Sequence, residues 1–255
     1  MCLLRRMTEV SEGLALEAKA FATKSTVVEI WTAQDRAIVC PGSLRKREGF
    51  DEAAARSAAR GWPVHLRPSG GGAVPQRPGI VNLALCFTAG TQFSIEDGYR
   101  LITDVITAAL KTTDAQLIAG TTPNSFCDGK WNLSLDGRKV VGTAQRIRPL
   151  GGGSRRILAH ALILLEGDIQ TGARAVDGLH ADLDLTPILS EAHTTLSETL
   201  HQAAPDAQEL ARTLYTAAIP ALHETGLPGT DASEPSGLKL PSGGGRHTNR
   251  EETHV

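Results

Sequence analysis

Residues 67–87 read RPSGGGAVPQRPGIVNLALCF, with three consecutive glycines between an arginine and an almost unbroken apolar run. Gly70, Gly71 and Gly72 carry no Cβ, so this backbone reaches positive φ angles cheaply and tolerates close approach by another group. A flexible linker has a similar composition. The flanks argue against one, because the triplet leads directly to Ile80–Phe87, an apolar run that fits a buried strand. No GK[ST] follows, as a Walker loop requires, and no GxGxxG opens a helix. On the residues alone two readings stand. One is a tight turn; the other is a loop whose amides, with Arg67 beside them, hold a phosphate, a carboxylate or a thioester-bearing arm.

The chain has 255 residues, 41% of them hydrophobic and 21% charged, which permits a substantial core and argues against wholesale disorder. A formal net charge of -2 gives no support to a general nucleic-acid binder. No apolar run approaches the roughly 18 to 20 residues that cross a bilayer. The start, MCLLRRMTEVSEG, places apolar residues before its arginines, the reverse of a secretory signal. The four cysteines (2, 40, 86 and 127) form no CxxC pair, which fits reduced thiols in a cytoplasmic protein. The eight histidines are scattered, and no metal site is expected.

Local signals predict an α+β chain, a mixed or antiparallel sheet covered by helices. Residues 26–40 (TVVEIWTAQDRAIVC) read as two short strands around a polar turn. A helix is predicted over 51–61, and another from a Ser94/Asp97 capping box to about Lys111, with Leu101, Ile102, Val105, Ile106, Ala109 and Leu110 on one face. Asp136-Gly137 marks a two-residue hairpin turn between 133–135 and 139–146. A further strand is predicted over 157–166, after a glycine-rich stretch at 151–153 read as an ordinary connection or as a substrate contact, and helices at about 187–202 and 206–224. Residues 1–227 then form one domain, and 228–255, rich in Gly, Ser, Pro and charge, a disordered tail.

Four segments in this order, RPSGGGAV, GIVNLAL, DGRKVVGTAQR and LAHALIL, resemble the lipoate-protein ligase and octanoyltransferase family, over about residues 25–225. The resemblance implies an α/β sheet shared with biotin-protein ligases and without Rossmann character. It implies an extended tunnel for a lipoyl or octanoyl group, with Arg67, Ser69, Gly70, Gly71, Gly72, Ala73, Asn82, Gly142, Thr143, Ala144 and His160 as substrate-binding positions. Lys139 matches the family lysine, whose ammonium would bind the acyl carbonyl oxygen and stabilise the developing oxyanion. Read without the family, Lys139 is a solvated lysine at a hairpin base.

Cys127 lies in NSFCDGKWNL (124–133). ATP-dependent ligases of the family typically carry a Gly-Arg-Asn-Asp-Leu-like stretch here, whereas octanoyl-transferring members often place a cysteine just upstream of this strand. The chain resembles the latter. A thiolate attacks an acyl thioester at little thermodynamic cost and then passes the acyl group to an amine; Lys139 nearby would lower the thiol pKa. The plain alternative is a small buried hydrophobe, the reading given to Cys40 and Cys86, with Cys2 incidental. Two departures stand out: Pro75-Gln76 where many family ligases have a histidine, and Ala161 where the family has glycine after the residue matching His160. His160 is therefore either a substrate contact or a satisfied strand histidine.

Arg146, Arg148, Arg155 and Arg156 form a basic cluster, read as a docking site for acidic carrier proteins or as a solvated surface. The resemblance implies a transferase that moves octanoyl or lipoyl from a carrier protein to a lysine of a lipoyl-domain acceptor, with Cys127 and Lys139 catalytic and no cofactor. The alternatives are a ligase using ATP and Mg²⁺ through an acyl-adenylate, and a non-catalytic binder of lipoylated proteins.

Overall fold

The computed structural model of the protein describes residues 3–201 and 204–224. Residues 228–255, expected to be a tail, and Cys2 lie outside the described residues. In chain order the elements are β1 (Leu4–Met7), α1 (Val10–Ala22), β2 (Val27–Ala33), β3 (Ala37–Pro41), α2 (Phe50–Ala59), β4 (Val64–Arg67), β5 (Val74–Gln76) and β6 (Ile80–Gly90). They continue with α3 (Ile95–Ala109), β7 (Ile118–Ala119), β8 (Leu133–Leu135), β9 (Arg138–Gly151), β10 (Ser154–Leu164), α4 (Ile169–Asp182), α5 (Leu196–Thr199) and α6 (Ala207–Glu224).

The larger sheet runs β1-β2-β6-β10-β9-β8-β7 and the smaller β4-β3-β5. Pairing is antiparallel except for β1 with β2 and β3 with β4, so the expected mixed sheet is present. Alternation along β6 builds two layers. Leu83, Leu85 and Phe87 join the main core with Leu101, Ile102, Val105 and Ile106 of α3, which packs on α6. Ala84 and Cys86 face the other way and meet Ala20 and Phe21 of α1 and Leu158 of β10. Both faces are covered, which explains why 80–87 reads as a continuous apolar run.

The capping box forms as expected: the Ser94 N–H donates to Asp97 Oδ2 at 2.8 Å, and the Asp97 N–H to Ser94 Oγ at 3.1 Å. Asp136 and Gly137, with φ of 49° and 74°, turn β8 into β9. The strands at 27–33 and 37–41 exist but lie in different sheets. Every residue of β3 is buried, so it cannot serve as the half-exposed return strand of a hairpin. The helix expected over 187–202 is reduced to a 3-10 turn at Ser190–Ala192 and the four residues of α5. Here the backbone bonds sideways instead, with the Thr194 N–H donating to Lys139 O at 3.0 Å. Among the described residues no helix is long and apolar enough to cross a membrane.

Candidate active site

The glycine triplet follows β4, and Arg67 at that strand's end is 5% exposed. Its guanidinium donates to Val39 O at 2.8 Å, Gly70 O at 2.9 Å and Gly72 O at 2.8 Å. Arg67 thus clamps the loop, and its charge is aimed at backbone carbonyls rather than outward at an anion. The group that comes close to the glycines is Cys127. A Cβ on Gly71 would stand 2.7 Å from Cys127 Sγ, and one on Gly72 would stand 3.1 Å from Cys127 Cα. The Gly72 N–H donates to Cys127 Sγ at 3.0 Å.

Cys127 itself has φ of 47°, a left-handed conformation that costs a non-glycine residue about 1–2 kcal/mol. Its neighbours hold it there. Asn132 Nδ2 donates to Cys127 O at 2.9 Å, and Asn132 Oδ1 accepts from the Thr143 N–H at 3.1 Å, tying the turn to β9. Lys139 Nζ donates to Phe126 O at 2.5 Å and Cys127 O at 2.9 Å. The Phe126 N–H donates to His193 Nε2 at 3.0 Å, and the two rings stack with centroids 4.1 Å apart.

Lys139 is fully buried, and burial pushes its pKa down to about 8, partly opposed by Cys127 and Asp128. Burial, followed by the Lys139 charge, pushes His193 down to about 4, so its Nε2 stays free to accept. Its Nζ lies 3.3 Å from where a Cβ on Gly142 would be, on the side of Leu162, and it holds the two carbonyls of the Cys127 turn without lining the cleft itself. Cys40 and Cys86 are core residues whose thiols burial pushes up to about 12.

Cys127 opens on a cleft enclosing about 430 Å³ of empty space, its mouth included. Of the positions expected to bind substrate, Arg67, Asn82, Gly142, Thr143, Ala144 and His160 line it; Ser69, the three glycines and Ala73 do not. Residues not expected to bind substrate also line it: Glu17 and Leu14 of α1, Trp31 of β2, and Gln76 of β5. His160 is both satisfied and cleft-facing. Its Nδ1 lies 3.0 Å from Glu17 Oε2 and its Nε2 2.8 Å from Ser69 Oγ, so it ties the helix to the loop's start. His193, also unforeseen, is a lone histidine in an irregular segment, and no local pattern marks it.

The chain matches the family described as the lipoyl protein ligase A/B catalytic domain over residues 10–218. It belongs to that family. An octanoyl-[GcvH]:protein N-octanoyltransferase of Kyrpidia tusciae is 33% identical over 144 residues, 53% of this chain and 49% of that protein. An uncharacterized protein of Cupriavidus necator is 36% identical over 167 residues, 58% of this chain and 64% of that one. The matched region thus spans about half to two thirds of these relatives' own length. The fold is also that of a T. acidophilum protein solved with lipoic acid bound. That likeness has a TM-score of 0.65 at 17% identity and covers 87% of this chain and 85% of the other.

Within this lipoyl ligase family setting, the unusual Gln76 acquires a partner. Its Nε2 donates to Asn82 Oδ1 at 2.6 Å, and Asn82 Nδ2 donates back to Gln76 Oε1 at 3.0 Å. The basic cluster, read as a docking site or as a solvated surface, loses one member to the interior. Arg156 is buried and donates to Ala20 O and Ser25 O, both at 2.8 Å, and to Phe21 O and Lys24 O at 3.3 Å. It satisfies the carbonyls that end α1. Arg146 and Arg148 lie over the Phe21 ring, 4.7 and 5.0 Å from its centroid. Among the described residues no three His, Cys, Asp or Glu side chains group as a metal site would.

Proposed function

We propose that the chain moves an octanoyl or lipoyl group from a carrier thioester to a lysine of a lipoyl-domain protein, with Cys127 as the residue that takes the acyl group. The carrying observation is the support built around one thiol. Cys127 sits at the cleft in a strained backbone state, its carbonyl held by Lys139 and Asn132 and its sulfur by the Gly72 N–H. Strain maintained by this many contacts is characteristic of a functional position. The octanoyltransferase relatives support the same reading.

In the first step the Cys127 thiolate attacks the thioester carbonyl carbon. A new carbon–sulfur bond forms, the bond to the carrier sulfur breaks, and the carrier leaves as a thiolate. One thioester replaces another, so little free energy is lost. In the second step the uncharged amine of the acceptor lysine attacks. A carbon–nitrogen bond forms, the bond to Cys127 breaks, and the amine proton passes to the released sulfur. Lys139 acts on both steps through the Phe126–Cys127 peptide that it holds, and its positive charge lies close enough to compensate charge on the sulfur.

An acyl-adenylate reading would need groups free to hold phosphate. The Arg67 guanidinium is bound to three carbonyls, the Gly72 N–H to the sulfur and Lys139 Nζ to two carbonyls. These residues do not fit a polyphosphate as they stand, and no step is assigned to ATP.

The test is intact mass after mixing the protein with an octanoyl-carrier thioester in the absence of ATP, beside Cys127→Ser. An octanoyl adduct on the wild type that the variant lacks is expected. No adduct on either protein would overturn the acyl-enzyme reading, and adenylate formation from free lipoate and ATP would replace it with a ligase.

A further inference from the structure

The cleft crosses the larger sheet, and its two ends differ in chemistry. Pairing aligns Gly142 of β9 with Leu162 of β10, Leu162 with Asn82 of β6, and Asn82 with Trp31 of β2, so these four form one row on one face. Cys127 stands at the Gly142 end, where Lys139 Nζ both contacts the Cys127 carbonyl and lies 3.3 Å from where a Gly142 Cβ would be. Asn82 is two strands away, about 10 Å at the usual strand spacing. That is the reach of an extended octanoyl chain anchored on Cys127.

The near end is small and apolar, with Gly142, Ala144 and Leu162. The far end is polar. Gln76 and Asn82 form their reciprocal amide pair there, and Glu17 accepts from Trp31 Nε1 at 3.0 Å while facing His160. Glu17, Gln76 and Asn82 are each 4–5% exposed, yet all three border the cleft. Their mutual bonds use only part of their capacity. Gln76 keeps a second N–H, each amide oxygen keeps a second lone pair, and each carboxylate oxygen keeps a lone pair; the second Asn82 N–H is directed at Trp31 O, 3.5 Å away. A methyl-ended chain pressed against this wall would exclude water from those groups and return no hydrogen bond, a recurrent cost in buried sites.

We propose that the far end of the cleft selects a medium-chain acyl group that carries a hydrogen-bond donor, a hydroxyl or thiol, at its distal end, over an acyl group with a plain alkyl end. The inference rests on the acyl-enzyme reading and adds the chemistry of the acyl chain. Gln76 and Asn82 are the specificity-determining residues, with Glu17 as the acceptor beyond them.

The test is a competition between octanoyl and ω-hydroxyoctanoyl thioesters of the same carrier, mixed in equal amounts with limiting protein, with the Cys127 adducts resolved by intact mass. The hydroxylated adduct is expected to exceed the plain one about tenfold, the effect of one net hydrogen bond. Equal adducts, or an excess of octanoyl, would overturn the inference and leave the acyl-enzyme standing; no adduct from either thioester would remove both. The paired variant Gln76→Leu/Asn82→Leu is expected to reverse the preference. If it retained the wild-type ratio, these two residues would not be the selecting ones. Should the variant fail to fold, the wild-type ratio alone decides.

Discussion

Gly-Gly-Gly occurs twice in this chain, at 70–72 and at 151–153, and the two triplets answer different constraints. In the first, only Gly71 has a positive φ, 95°, and the pressing requirement is room. Side chains at 71 and 72 would meet Cys127 atoms at 2.7 and 3.1 Å. In the second, all three residues have positive φ (85°, 56° and 73°), and a Cβ on any of them would meet nothing within 4 Å. The first triplet is shaped by a partner distant in sequence, the second by the turn between β9 and β10 alone. Identical letters therefore predict opposite sensitivities to substitution.

The largest effect is expected just past the second triplet, at Arg156. Arg156→Glu places an unpaired carboxylate among the carbonyls that end α1 and should cost on the order of 3–5 kcal/mol by urea denaturation. A loss below 1 kcal/mol would show that α1 does not depend on this clamp. Next comes Gly71→Ala, which crowds the Cys127 sulfur and forces alanine to a positive φ. Displacing a reacting group by about 1 Å costs roughly a hundredfold in rate, so Cys127 acylation should slow by that factor with Gly152→Ala as the control. Equal slowing in both variants would break the distinction between the triplets.

The difference between the triplets was only half legible in the sequence. Features settled within a few residues came through: the Ser94–Asp97 box, the Asp136-Gly137 turn, and α3 with its apolar face. Helix α1 did not, because its buried stripe runs Val10, Gly13, Glu17, Ala20 and Phe21, and a glycine under Trp31 and a buried carboxylate do not read as apolar periodicity. Helix α4 was hidden in the same way by Gly172, where a Cβ would stand 3.0 Å from Pro75. At the site, Cys127 and Lys139 came from family resemblance. Their geometry depends on Gly72, Asn132 and His193, as many as 66 residues from Cys127 in sequence, and no local pattern encodes contacts at that range.

His193 sharpens the comparison at intermediate cost, because it holds the peptide that the first triplet fits and has no counterpart at the second. Folded, it gains a proton only near pH 4; unfolded, near its ordinary 6.5. Between those values the unfolded chain binds more protons, so this contribution is complete above about pH 6.5 and is lost as the pH falls toward 4, about 3 kcal/mol in all. In His193→Gln the amide oxygen can still accept from Phe126 N–H without titrating. Between pH 7 and 4.5 the variant should lose about 2 kcal/mol less stability than the wild type in urea. Parallel losses would remove His193 as the titrating support of the Cys127 turn.

The smallest effect is expected at Gly152, and it tests the comparison from the other side. Its φ of 56° falls in the left-handed region that asparagine enters more readily than other non-glycine residues, and open space surrounds the missing Cβ. Gly152→Asn should therefore stay within about 0.5 kcal/mol of wild type, with Cys127 acylation unchanged. Asparagine at Gly71 must hold a φ of 95°, beyond the left-handed well, and also finds Cys127 Sγ in the space its Cβ needs. If both asparagine variants acylated normally, close approach would not be what the first triplet provides. If Gly152→Asn alone did, Gly71 would carry a demand, of backbone and of room for the thiol together, that the second triplet lacks.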